Sequence, residues 1–115
     1  MYQFSYSEIQ QDDVTEAKDR ERQLLDRSIE MLVDAKEKGS QSREALDALF
    51  FVRRVWVRFI EDLGSKENEL DAELRANLIS VGIWILKESE RLRRGETKSF
   101  DGIIEISGII RDGLR

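Results

Sequence analysis

Acid–base catalysis in this chain would rest on pairs of carboxylates, because its 115 residues include 24 aspartates and glutamates but no histidine and no cysteine. Histidine is the usual general base at neutral pH, and histidine and cysteine are the commonest zinc ligands. Most of the carboxylates lie among lysines and arginines, in charged runs typical of solvated helix faces. No nucleophile motif, glycine-rich phosphate loop or metal-ligand spacing accompanies them. The sequence therefore predicts a noncatalytic protein with no cofactor and no metal site.

Binding is the alternative chemistry, and one arginine in an unusual position favours it. At helical spacing Arg53 falls between Leu49, Trp56 and Ile60, inside an apolar arc. A guanidinium there either reaches an acidic residue on another helix or anchors an interface with a partner. The sequence leaves both interpretations open.

A second candidate patch lies on the polar side of the same helix. Phe51 falls there together with Arg54 and Arg58, so we expect these three residues to form an exposed partner-binding surface. Arginines beside an aromatic ring could also bind RNA by stacking and charge. Acidic residues on or beside this face would instead supply intrahelical partners for the arginines. They are Asp47, Glu61 and Asp62.

The N-terminus carries aromatic residues at alternate positions. Tyr2, Phe4 and Tyr6 would share one face of an extended segment. The segment is too short to form a sheet alone. We therefore predict a short aromatic arm that docks on the rest of the domain or on a partner.

Arg53 and the patch of Phe51, Arg54 and Arg58 lie in the stretch Ala45–Leu63. This stretch concentrates more apolar and aromatic surface than any other part of the chain. Its apolar arc is about twice as wide as the stripe of about 100° that an ordinary surface helix needs. Leu46, Phe50 and Val57 account for the extra width. Neighbouring helices, a second copy of the chain in a homodimer, or a different protein must cover it.

The remaining pattern predicts an all-α fold, a compact four-helix single domain spanning residues 1–115. The chain contains no proline, and glycines at 39, 64, 95 and 113 mark predicted helix ends. For the last segment, isoleucines at intervals of three to four favour a helix, with a strand as the alternative. The predicted N-caps are Ser7, Asp12 or Asp13 for the first helix, Ser40 or Ser42 for the second, and Ser99 for the last.

The third helix is predicted to be the antiparallel neighbour of the second, because the connection between them is short. Its main apolar stripe begins with Leu70 and Leu74 and continues to Leu92. Gly82 interrupts this helix at a cost of about 1 kcal/mol relative to alanine, which indicates a close crossing with a neighbour.

The net charge of −5 disfavours nonspecific binding to nucleic acid or to anionic membranes. The longest uncharged run, Asn77–Leu86, is too short to span a bilayer. The first ten residues lack the basic and apolar regions of a secretory signal. We therefore expect a cytoplasmic protein.

Three stretches resemble the bacterial flagellar protein FlaF family, and together they extend over nearly the whole chain. They are Leu49–Trp56 with Glu61–Leu63, then Glu73–Trp84, and finally Ile104–Leu114. The shared residues are packing residues and include no catalytic motif.

The resemblance implies a noncatalytic regulator of flagellin synthesis and flagellum assembly. It further implies a chaperone-like adaptor that binds flagellin, acts beside the translational repressor FlbT, or does both. Direct contact with flagellin messenger RNA is the alternative function, and the negative charge of the chain argues against it.

Overall fold

A computed structural model describes the backbone of residues 6–114 and the side chains of residues 16–114. Four helices follow one another: α1 (Tyr6–Lys38), α2 (Arg43–Leu63), α3 (Ala72–Arg93) and α4 (Asp101–Gly113). The predicted all-α, four-helix architecture is confirmed, and the strand alternative for the last segment is wrong. Tyr6 opens α1, so no aromatic arm is seen at this position.

Local side-chain chemistry explains where α2 and α3 begin. The Ser42 hydroxyl accepts a hydrogen bond from the backbone N–H of Ala45 at 3.1 Å, as a helix N-cap requires. The Asp71 carboxylate accepts one from the N–H of Glu73 at 3.2 Å. Ser42 is therefore the cap of α2, as one of the two predicted alternatives stated. Gly39, with φ +106°, ends α1 in a conformation that glycine adopts without strain.

Several predicted helix boundaries are wrong. Ser7, Asp12 and Asp13 lie inside α1 and cannot cap it. Phe100 is the N-cap residue of α4, although the neighbouring Ser99 hydroxyl accepts a hydrogen bond from the N–H of Asp101 at 3.3 Å. Serine and aspartate favour caps through local bonds, but α1 continues through all three of these residues.

The core forms where α2 packs between α1 and α3. The largest fully buried side chains include Trp56 of α2, Leu25 and Leu32 of α1, and Ile85 of α3. Phe100 and Ile103 bring α4 into the same core. The α4 helix packs mainly on α1 and approaches α3 only slightly. Its backbone stays away from α2, and Ile110 near its C-terminal end lines a small pocket together with Trp56 and Phe59 of α2. One side of α2 is consequently left without a covering helix.

Two ion pairs join α4 to α1 at the surface. The Arg111 guanidinium donates a hydrogen bond to the Asp26 carboxylate at 3.1 Å, and the Lys36 ammonium lies 2.7 Å from the Asp101 carboxylate. The molecule measures 55 × 31 × 19 Å. The 33 residues of α1 account for most of its length, at about 1.5 Å per residue.

Candidate functional site

The wide apolar arc of α2 divides into a buried part and an exposed part. The part facing α1 and α3 is buried and includes Leu49, Val52 and Trp56. Leu46 and Phe50 stay 51% and 64% exposed, although their spacing continues the same arc. The extra width of the arc is therefore apolar surface that no other described helix covers.

This exposed surface forms one wall of a groove between α2 and α3, here called the α2–α3 groove. The groove has a volume of about 580 Å³ and is open to solvent along its length. Its lining residues are Leu46, Asp47, Leu49, Phe50 and Arg53 of α2, and Leu86, Ser89, Glu90 and Arg93 of α3. A groove that is open to solvent and lined by both apolar and charged side chains suits a segment of a macromolecule better than a small ligand, which prefers an enclosed pocket.

Ion pairs fix the charges on the α3 rim of the groove. The Arg93 guanidinium donates two hydrogen bonds to the Glu90 carboxylate, one of them at 3.0 Å, and the Arg94 guanidinium donates a third at 3.1 Å. The hydrogen bonds from Arg93 are the main reason that the pKa of Glu90 falls to about 2. Glu90 is therefore ionised at neutral pH and engaged by its own helix.

Arg53 lies on the opposite rim. The sequence allowed two positions for its guanidinium, in an intrachain ion pair or at an interface. The side chain is exposed, and within residues 16–114 it forms no ion pair and no side-chain hydrogen bond. No intrachain ion pair of Arg53 forms among residues 16–114, although Glu90 of α3 lines the same groove. The Glu90 carboxylate is engaged by Arg93 and Arg94 instead. The interface role of Arg53 stays a prediction.

The predicted patch of Phe51, Arg54 and Arg58 is brought together only in part. The three residues line a shallow depression on the uncovered side of α2. Phe51 is half-buried rather than exposed, and Arg54 lies over the ring of Phe50 instead, 5.9 Å from its centroid. The expected intrahelical ion pairs of these arginines with Asp47, Glu61 and Asp62 do not form in the described part of the chain.

The remaining predicted site residues belong to the N-terminus. Tyr2 and Phe4 lie outside the described residues, as does the side chain of Tyr6. Within residues 16–114, no group of three or more carboxylates is arranged to hold a metal ion. No helix of the described chain is both long enough and apolar enough to cross a membrane.

Sequence reasoning did not single out Phe50 and Ser89 as site residues. The width of the apolar arc of α2 could have identified Phe50 as a site residue, because Phe50 lies at the edge of that arc. Nothing in the sequence identifies Ser89 in this way. It is 5% exposed, and its hydroxyl has no hydrogen-bond partner in the described structure.

A smaller apolar pocket of about 110 Å³ lies near the C-terminal end of α2. Trp56, Phe59 and Leu63 line it together with Glu21 of α1. Burial, and secondarily the charge of Asp62, raise the pKa of the Glu21 carboxyl above its usual value. This pocket lies against the core and offers much less room than the α2–α3 groove.

A comparison with known protein families identifies the family of this chain. The family model "Flagellar protein FlaF" matches residues 2–114. The chain belongs to the FlaF family. No curated protein and no solved structure matches the chain significantly. The FlaF match spans all four helices and includes both walls of the α2–α3 groove. It places the protein in flagellum biosynthesis.

Proposed function

We propose that this FlaF family member is a cytoplasmic, noncatalytic regulator of flagellin synthesis and flagellum assembly. In this proposal it acts as a chaperone-like adaptor that binds flagellin, the translational repressor FlbT, or both. The observation that supports the proposal best is the exposure of Phe50. It is the most exposed large apolar side chain among residues 16–114, and it stands on the rim of an open groove.

The groove suits a helical partner for geometric reasons. Leu46 and Phe50 are one helical turn apart on one wall, and Leu86 faces them from the other. An amphipathic helix that lies in such a groove presents its own apolar residues at the same spacing. The terminal segments of flagellin are amphipathic helices when folded, so they match this requirement.

Calorimetry with purified flagellin and purified FlbT tests the proposal. We expect saturable binding of at least one of them, with a negative heat-capacity change because apolar surface is buried. Absence of binding to both proteins would contradict an adaptor role. A control titration with a folded, nonflagellar helical protein should give no heat of binding.

Direct binding of flagellin messenger RNA is the second candidate. It is favoured by Arg53, Arg54 and Arg58, which have no ion pair within residues 16–114 and project from the uncovered side of α2. Binding of this kind weakens steeply as salt rises, because phosphate contacts release counterions. The adaptor proposal predicts no measurable RNA binding even at low salt, since the net charge is −5.

Self-association would also cover the exposed arc. The adaptor proposal predicts a monomer in sedimentation equilibrium at micromolar concentration. A stable dimer that dissociates on Phe50→Ser would show instead that a second copy occupies the groove.

A further inference from the structure

We propose that the small pocket near the C-terminal end of α2 binds an organic amine, with the apolar part of the amine inside the pocket and its cationic nitrogen beside Glu21 and Asp62. The proposal does not depend on the adaptor function or on the α2–α3 groove. Three features of this pocket, here called the four-helix pocket, support it: its size, its charge and its aromatic wall.

The size of the four-helix pocket suits one small apolar group. Residues of all four helices and of the connection between α2 and α3 line it, and the enclosed volume is about 110 Å³. The lining residues are Glu21, Trp56, Phe59, Asp62, Leu63, Asn68, Leu70, Leu78, Ile110 and Leu114. A dry apolar cavity of about 150 Å³ binds benzene, so a group of about that size or smaller fits here.

The charged side chains that line the four-helix pocket are both negative. They are Glu21 and Asp62, and no lysine or arginine lines the pocket with them. Asp62 is exposed and Glu21 is partly buried, so both lie toward the opening of the pocket. Within residues 16–114 neither carboxylate forms an ion pair or a hydrogen bond. Both are therefore available to a cation that enters from solvent.

Nearby arginines do not neutralise these two carboxylates. Arg20 and Arg58 line an adjoining depression, but within residues 16–114 neither guanidinium forms an ion pair with either carboxylate. Burial and secondarily the charge of Asp62 raise the pKa of the Glu21 carboxyl, against weaker opposite effects of Arg20 and Lys18. A cation bound between Glu21 and Asp62 would remove their mutual repulsion.

Aromatic rings form one wall of the pocket. Trp56 and Phe59 pack edge to face, with 5.4 Å between their ring centroids and 77° between their planes. The face of an aromatic ring attracts a cation, and aromatic walls are a common means of binding organic ammonium groups. Rings and carboxylates together therefore favour an amine, whereas a carboxylic acid or a phosphate would be repelled.

Titration of the full-length protein with two matched small molecules tests the proposal. Benzylamine is cationic at neutral pH, and benzyl alcohol has nearly the same size without the charge. The indole N–H signals of the two tryptophans in an NMR spectrum report the site, because Trp56 lines the pocket and Trp84 does not. We expect a saturable shift of the Trp56 signal alone, and binding of benzylamine at least about fivefold tighter than that of benzyl alcohol.

Three variants separate the charge of the pocket from its shape. Glu21→Gln should remove most of the preference for benzylamine, whereas Glu37→Gln, which removes the same charge from an exposed position of α1 outside the pocket, should leave it unchanged. Leu78→Phe should abolish binding of both molecules, because the larger side chain fills the pocket. Circular dichroism shows whether each variant is folded, and Glu21→Gln, which keeps the shape of the side chain, decides the question if Leu78→Phe does not fold.

Such an amine is available as a free molecule or as a lysine side chain of another protein. Nα-acetyl-lysine methylamide represents the second source. Tighter binding of this compound than of benzylamine would support the proposal with a partner's lysine as the occupant, and weaker binding would support it with a free amine. Equal affinity for benzylamine and benzyl alcohol, an unchanged Trp56 signal, or a preference that Glu21→Gln leaves intact would overturn the proposal.

Discussion

Gly82 of α3 lies so close to Ile60 of α2 that a Cβ atom built on the glycine would be 2.9 Å from the Cδ1 and Cγ1 atoms of the isoleucine. The same Cβ would be 3.0 Å from Cε3 of Trp56. The close crossing predicted from a glycine inside an apolar helix is therefore confirmed. This contact sets the separation of α2 and α3, which form the two walls of the groove.

Gly82→Val should destabilise the protein by about 1–3 kcal/mol, because the added side chain would push Ile60 and Trp56 of α2 away from α3. Ala76→Val is the matched control, since Ala76 lies on the exposed face of the same helix. It should cost only the difference in helix propensity, about 0.5 kcal/mol. Urea unfolding measures both changes, and equal costs at the two positions would refute the close crossing.

The two tryptophans should respond very differently to truncation. Trp56 is 1% exposed in the centre of the core, so Trp56→Ala should cost about 3–5 kcal/mol. Trp84 is 41% exposed and packs on Gly102 at one edge of its ring, so Trp84→Ala should cost less than half as much. Thermal and urea unfolding give the comparison. A larger loss for Trp84 would be inconsistent with this packing.

Removing Arg53 should leave stability nearly unchanged. It has no ion pair within residues 16–114, and exposed positions of this kind usually tolerate substitution within about 0.5 kcal/mol. Arg111→Ala provides the contrast, because it breaks the ion pair with Asp26 that joins α4 to α1. Both partners are partly exposed, so the expected loss is only about 0.5–1 kcal/mol. A larger loss in the free energy of unfolding for Arg53→Ala than for Arg111→Ala would show that Arg53 has a structural partner. Urea unfolding of both variants measures these losses.

The raised pKa of Glu21 predicts a pH-dependent penalty on stability. The folded state binds this proton more tightly than the unfolded chain, so stability falls as pH rises above the usual value of 4.5. Glu21→Gln should therefore stabilise the protein relative to wild type, by an amount that grows as the pH rises from 4.5 and levels off above the folded-state pKa of Glu21. Unfolding midpoints across this range measure the difference.

A difference between Glu21→Gln and wild type that stays constant with pH would mean that burial does not penalise the Glu21 carboxylate.

The sequence predicted the helices well where glycine and apolar spacing agreed. Gly39 and Gly95 adopt positive φ at the predicted ends of α1 and α3. Apolar periodicity also identified the buried face of α2 correctly. Both signals are local, since they depend on the residues of one helix and on the turn that follows it.

Features that depend on neighbouring helices were not predictable in this way. Leu70 and Leu74 continue the apolar stripe of α3, but Leu70 precedes the helix and both side chains are exposed. Periodicity shows that residues share a face, whereas burial requires another helix to extend that far. The environment of Arg53 could not be predicted from the sequence for the same reason, because it depends on which side chains of α3 lie opposite this edge of α2.

The lack of a hydrogen-bond partner for the Ser89 hydroxyl could not be predicted from the sequence either. A helical serine usually bonds to its own backbone or to water, and nothing in the residue pattern distinguishes Ser89 from Ser28 or Ser80. Its unpartnered hydroxyl follows only from the way α2 and α3 pack around it.

In the proposed function, the α2–α3 groove binds flagellin through Phe50. Calorimetric titration of purified flagellin into wild-type protein, Phe50→Ser and Ile109→Ser measures the contribution of this residue. Both residues are exposed, so neither substitution should unfold the protein. We predict that Phe50→Ser weakens binding at least tenfold, about 1.4 kcal/mol, while Ile109→Ser leaves it unchanged. Equal affinities of all three proteins for flagellin would exclude binding through Phe50.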